Sequence, residues 1–255
     1  MKDKNNTSLL YYEQTLQRAR QPEEGLLTAT KILSNSLIHK LKIAERGGLP
    51  SPLRHVGRGT RGELWFRNRL LWLRTIPLEN DVSFMITHAE PAVYYIGKSG
   101  RNSADLLGIW HNSTNTKLGL VELKAGRNGD HVLYAIMEGL RNLHLHRKAI
   151  SRLHNGWDMA LNRKNLNQKN PGGERLFWSN VWGKSNPFNP RLVNSHLVII
   201  GDTSWIKAQD GWKKEAVKLI EEIKNSFKYE TSIYSLNNAN ALSRPYVFLP
   251  LARWL

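Results

Sequence analysis

Asp105-Leu-Leu-Gly-Ile-Trp110, a polar turn, and then Gly119-Leu-Val-Glu-Leu-Lys124 decide how this chain folds. Both segments are apolar runs of strand length. Between them, His111-Asn-Ser-Thr-Asn-Thr116 is a cluster of turn formers, so the spacing predicts a β-hairpin over 104–111 and 118–125. Folded about Thr114, the hairpin sets Asp105 nearly opposite Glu122. Side chains alternate faces along a strand, so Glu122 and Lys124 project together while Val121 and Leu123 face the other way. Two carboxylates and an ammonium converging on one spot could hold a divalent metal and a water beside a phosphodiester. The plain alternative is a surface hairpin on which Glu122 and Lys124 merely flank one another in solvent.

Working outward, Gly62 to Thr75 has the spacing of a helix, and Val82 to Ile96 reads as extended structure with a break at Glu90-Pro91. Asp130 to about Leu153 forms a long helix, and a loop-rich stretch follows to Asn194. His196 to Gly201 is a buried strand. Trp212 to Phe227 is an amphipathic helix over Ala216, Leu219 and Ile223, and Ser232 to Leu236 and Tyr246 to Leu249 are short strands. The succession is α-β-β-β-α-β, an α/β class with a mixed central β-sheet flanked by helices. Residues 8–46 add a predicted pair of helices broken near Gln21-Pro22, and Gly47-Gly-Leu-Pro-Ser-Pro52 reads as a linker. The domain expectation is therefore an N-terminal helical segment over 1–50 and a main domain over 51–255, with an insertion at about 154–194.

Asp105 followed by Glu122-Leu123-Lys124 on the next strand resembles the PD-(D/E)xK nuclease superfamily, whose restriction-endonuclease-like core has this element order. The likeness spans roughly 60–201 in element order but only a handful of positions in motif, and Ala104 stands where the family name has proline. The resemblance implies metal binding by Asp105 and Glu122, completed by the main-chain carbonyl of Leu123. Hard oxygen ligands favour Mg²⁺, with Mn²⁺ the alternative, over zinc. It implies that Lys124 orients the attacking water or stabilises the growing negative charge, in a hydrolysis leaving a 5′-phosphate and a 3′-hydroxyl. A type II restriction endonuclease cutting double-stranded DNA is the leading specific expectation, with a homodimer left open. A repair, recombination or mobile-element nuclease of the same superfamily is an alternative.

Glu63 is the candidate for the family's extra acid on the first helix, as a catalytic group and metal ligand. At helical spacing it shares a face with Phe66, Leu70 and Leu73. Thr60-Arg-Gly-Glu63 equally fits a capping box in which Glu63 bonds the Thr60 amide, and the two roles are not exclusive. On the helix after the hairpin, His131, Tyr134, Glu138 and Arg141 fall on one face, and Val132, Ile136, Leu140 and Leu143 on another that packs on the sheet. Tyr134 and Glu138 are candidate contributors to the site, while Arg141 is expected on a solvated face.

Lys and Arg number 37 against 21 Asp and Glu, a formal charge of +16. A field of that sign attracts polyanions, of which nucleic acid is the commonest. Between Arg141 and Arg191 cations outnumber acids ten to two, with Trp157, Phe177, Trp178, Trp182 and Phe188 interleaved. Cations for phosphates beside aromatics for stacking suit a nucleic-acid surface, though tryptophans are more often core and Trp178 and Trp182 are the expected core pair. Lys98, Arg101, Tyr134, Arg163, Lys164 and Lys169 are the candidate nucleic-acid contacts.

There is no cysteine, which excludes disulfides and cysteine-bound zinc. No apolar run is long enough to span a bilayer and no signal-peptide core is present, so a cytoplasmic protein with no membrane partner is expected. No Gly-rich phosphate loop appears, so no nucleotide cofactor is expected. Val93-Tyr-Tyr-Ile-Gly-Lys98 matches half of another nuclease signature without its partner and reads as a core strand. His144 and His146, two apart on a helix, fall on different faces, which argues against chelation. A non-catalytic DNA- or RNA-binding module on the same fold is the rival from another functional class.

Overall fold

The computed structural model describes residues 41–43, 62–73, 75–89, 92–95, 101–126, 131–148, 150, 151, 153–155, 186, 188, 189, 194–236 and 251–255. In chain order these form β1 (Leu41–Ile43), α1 (Gly62–Leu73), β2 (Thr75–Pro77), β3 (Ser83–Ala89), β4 (Ala92–Tyr95), β5 (Arg101–Ser103), β6 (Leu106–His111) and β7 (Thr116–Lys124). There follow α2 (Val132–Lys148), β8 (Ser195–Asp202), α3 (Thr203–Gln209), a single 3₁₀ turn (Asp210–Trp212), α4 (Lys213–Phe227), β9 (Tyr229–Leu236) and β10 (Leu251–Arg253).

Seven strands make one mixed sheet in the order β10-β9-β8-β7-β6-β3-β2, and β1, β4 and β5 make a small antiparallel one. Within the large sheet β7, β8 and β9 run parallel and the other pairs are antiparallel. Parallel neighbours need crossovers, which α2 and α4 supply, and the right-handed rule sets successive crossovers on one face. Leu107, Ile109, Leu118, Leu120, Leu197, Ile199 and Ile233 pack there against α2 and α4. On the opposite face Phe84, Leu106, Trp110, Val121, Leu123, Val198 and Ile200 pack against Phe66 and Leu70 of α1. A sheet covered on both faces explains the unbroken apolar run Leu197-Val-Ile-Ile200, buried throughout.

Taken in order, α1, β3, β6, β7, α2 and β8 are the helix, three strands, helix and strand expected from sequence. The predicted hairpin is β6–β7, with His111 opposite Thr116. Asn112 closes it: its Oδ1 accepts from the amides of Thr114 at 3.1 Å and Asn115 at 2.7 Å. The extended stretch from Val82 divides as anticipated, but β4, with Val93 to Tyr95, joins the small sheet rather than the core one. Leu41–Ile43, expected in a helix, is a strand instead, because its partner is β4 (Leu41 opposite Tyr95) and long-range pairing overrides local periodicity. The rest of the predicted N-terminal helices, the Tyr246–Leu249 strand and nearly all of the 154–194 insertion lie outside the described residues. Phe188, expected among the nucleic-acid aromatics, is fully buried in the core. Among the described residues no helix is long and apolar enough to cross a membrane.

Two glycines fix how β6 meets β7. Gly108 and Gly119 stand opposite each other, and the ring of Phe84 lies across both. A Cβ on Gly108 would sit 2.0 Å from the Met85 carbonyl oxygen and 2.9 Å from Phe84 Cε1; one on Gly119 would sit 2.6 Å from Phe84 Cε2. Backbone cannot yield as a flexible side chain does. Gly108→Ala is therefore expected to cost about 3 kcal/mol or more. Gly211→Ala, with nothing within 4 Å of its Cβ, should shift stability by less than about 0.5 kcal/mol. Urea unfolding midpoints of the two variants test this, and equal midpoints would refute the packing argument.

Candidate active site

Leu106 pairs with Val121, so the same register carried back one residue sets Asp105 across from Glu122. Opposed residues share a face, and here it is the α2 face, with Lys124 two residues further on. The three side chains sit at the carboxyl end of β7, at the edge where α2 begins its return. The Leu123 amide donates to Asp105 Oδ2 at 2.8 Å. Along a strand a residue's amide and carbonyl point to the same side, so the Leu123 carbonyl is directed toward the β6 side of β7, as its amide is.

Gly139 lets α2 come down onto this group. A Cβ there would lie 2.5 Å from Leu197 Cδ1 and 3.2 Å from Glu122 Cγ. The close approach carries a polar seam. Lys124 Nζ meets Glu138 Oε2 at 3.1 Å, and the other Glu138 oxygen is 3.7 Å from Arg141 Nη2. Arg141 Nε donates to Asn142 Oδ1 at 3.1 Å, and Asn142 Nδ2 donates to Glu122 Oε1 at 3.1 Å. The seam thus runs from Lys124 through α2 and back to Glu122. Glu122 is 3% exposed, Lys124 and Arg141 4% each and Asn142 0%, whereas Asp105 is half-buried.

The electrostatics follow from that burial. Desolvation raises the Asp105 pKa, opposed by the Leu123 amide and by the charges of Lys124 and Arg67. Glu122 is pushed well above the ordinary glutamate value, first by burial and then by the Asp105 charge, with Lys124 opposing. Asp105 and Glu122 thus act on each other as neighbouring carboxyls in a largely buried site. Like charges brought together in a dry site take up a proton unless a cation replaces it.

Sequence and structure agree on where Asp105, Glu122 and Lys124 converge, and Glu138 joins them from α2. Arg141 corrects its expectation: it is buried between Glu138 and Asn142, because the face of α2 toward the sheet is itself polar at this point. Tyr134 is half-buried and packs against the core of that face. Glu63 is half-buried on α1, and the further acid whose charge acts on Glu122 is Glu138. Thr60, its proposed capping partner, lies outside the described residues, as do Lys98, Arg163, Lys164 and Lys169. Arg101 opens β5 in the small sheet. Sequence patterns do not point to Gly139 or Asn142. For Gly139 the available signal was a glycine inside a helix, which asks for a packing reason.

Among the described residues no group of three or more His, Cys, Asp or Glu side chains is arranged to hold a metal ion. The donor set at hand is two carboxylates and a main-chain carbonyl. Two neighbouring carboxylates, one of them half-buried, beside a main-chain carbonyl could hold a hard divalent cation such as Mg²⁺. No family model matches the chain, and no curated protein and no solved structure matches it.

Raised carboxyl pKa values have a testable sign. The stability that a raised pKa confers is complete below the unfolded value and is lost as pH rises through the folded one. Buried His88, His146 and His196 act oppositely. Burial lowers them to about 3, about 4 and about 3 from 6.5, so their stabilisation is lost as pH falls through those values. They cancel when wild type is compared with Glu122→Gln. In EDTA, denaturant titrations should show Glu122→Gln gaining on wild type between pH 5 and pH 8. A difference that stays flat over this range would contradict the raised Glu122 pKa.

Proposed function

We propose that this protein is a metal-dependent endonuclease of the PD-(D/E)xK type, hydrolysing phosphodiester bonds in double-stranded DNA, with a type II restriction endonuclease as its specific form. The observation that carries the proposal is the convergence of Asp105, Glu122 and Lys124 at the carboxyl end of β7, with the Leu123 amide bonded to Asp105 at 2.8 Å. The order α1-β3-β6-β7-α2-β8 supports the likeness to that family, and the charge of +16 supports a polyanionic substrate.

Asp105, Glu122 and the Leu123 carbonyl are the groups that would hold Mg²⁺ or Mn²⁺. When bound, the ion would polarise the scissile phosphate and make hydroxide available at neutral pH. Lys124 supplies the rest of the electrostatics. Its ammonium is buried and anchored by Glu138 at 3.1 Å, so a positive charge stands fixed where the phosphorane gains negative charge. Glu138 and Arg141 hold that charge in place from α2, and Asn142 holds Glu122. Water oxygen attacks phosphorus and the bond to the 3′ oxygen breaks, giving a 5′-phosphate and a 3′-hydroxyl.

Supercoiled and linear DNA incubated with wild type should yield discrete fragments in Mg²⁺ and none in EDTA. Asp105→Ala and Lys124→Ala should each lower cleavage by at least about a hundredfold. If all three proteins bind DNA equally and none cleaves, the catalytic reading fails and a binding module remains.

A further inference from the structure

Asn142 sits inside α2, where asparagine is a poor helix former, and it is fully buried. An apolar residue at that position would serve packing at least as well. What asparagine adds is a directed amide, and the direction is set by its neighbour. A guanidinium has only donors. Arg141 Nε, 3.1 Å from Asn142 Oδ1, therefore fixes the oxygen end of the amide and leaves the NH₂ end toward Glu122 Oε1, also at 3.1 Å. His146 Nδ1 bonds the Asn142 carbonyl at 2.7 Å, holding the backbone of the same turn. Arg141 is in turn held by Glu138, the partner of Lys124.

We infer that Arg141 and Asn142 are positioning residues for a divalent cation at Asp105 and Glu122: Arg141 fixes the orientation of the Asn142 amide, which commits Glu122 Oε1 and leaves Oε2 for the cation. The inference rests on the metal-site reading above, and it assigns a role to two side chains that touch neither cation nor substrate. Hydrogen bonds of this kind around a ligand carboxylate typically change metal affinity 10- to 100-fold when removed. The order of the chain makes a sharper claim. Arg141 reaches Glu122 through Asn142, so for the orientation of the Glu122 carboxylate losing both should be no worse than losing Asn142 alone.

The test uses Mn²⁺ as probe, with the dissociation constant read by calorimetry and by the spin-resonance signal of free ion, and metal-free stability read by urea titration. Wild type should bind, and Asp105→Ala should abolish binding. Asn142→Ala should weaken Mn²⁺ binding about 10- to 100-fold, as should Asn142→Ser, a smaller change should Asn142→Ala not fold. Arg141→Met should weaken it in the same direction, and the double variant should match Asn142→Ala within about twofold. Unchanged affinity in either Asn142 variant overturns the inference, as do independent, multiplying effects of Arg141→Met and Asn142→Ala. A wild type that binds no Mn²⁺ overturns both this inference and the metal-site reading. Mn²⁺ binding with the expected pattern but no cleavage of any DNA would sink the nuclease reading and leave the positioning role standing.

Discussion

Phe84 lying over the Gly108–Gly119 pair sets the register on which the rest of the molecule depends. Any other residue at these two positions would lift the ring, and with it the fit of β3 against β6 and β7. Side chains in a strand have a period of two, so a slip of one residue would turn Glu122 and Lys124 toward α1 and Val121 and Leu123 toward α2. Both cores would then be inverted at once. The register that places Asp105 opposite Glu122 is thus enforced from the opposite face of the sheet, by apolar packing with no part in the chemistry.

The seam between α2 and the sheet runs against that apolar logic. Glu122, Lys124, Arg141 and Asn142 are all buried, and desolvating charges costs several kcal/mol per ion before their mutual attraction offsets it. Replacing such a network by matched hydrophobic residues is often neutral or stabilising. Its presence is therefore weak evidence for stability and better evidence for a task. The carboxyl pair points the same way. Asp105 and Glu122 stand opposite each other across two strands and each acts on the other's charge, an arrangement that a folded core does not need and the proposed cation site does.

Much of this geometry was legible in the sequence because strands are simple. Once His111 to Thr116 is taken as the turn, the pairing of Asp105 with Glu122 follows by counting, and alternation adds Lys124. Helices were harder. Periodicity separates polar from apolar faces, but the inward face of α2 carries Glu138, Arg141 and Asn142 among leucines, so an inward arginine looked like an outward one. Glu63 illustrates the converse: it shares a helical face with Phe66 and Leu70, which are buried as core residues, yet nothing in a single sequence says which carboxylate a distant helix brings to a site. Leu41–Ile43 departs from its helical periodicity because its partner lies some fifty residues away at Val93–Tyr95, beyond the reach of any local window.

A second polar cluster, on the α1 face, shows why burial alone does not make a site. There Lys117 Nζ binds Glu230 Oε1 at 2.7 Å, His196 stacks on Trp110 at 4.7 Å, and His196 Nε2 meets Ser232 Oγ at 2.9 Å. His196 is kept neutral by burial, with the Lys117, Arg253 and Lys224 charges acting in the same direction. The acid in this cluster already has its cation, since Lys117 lies on Glu230, and no carboxylate is pressed against another. It also lies toward the amino ends of β8 and β9, whereas ligands of parallel sheets gather beyond the carboxyl ends. The Asp105–Glu122 pair differs on each count: its carboxyls oppose each other, their shared charge is only partly offset by Lys124 and Arg67, and the pair stands at the carboxyl end of β7. Position along the parallel strands and an unmet demand for positive charge, taken together, distinguish the cluster on which the proposed chemistry rests from the other one.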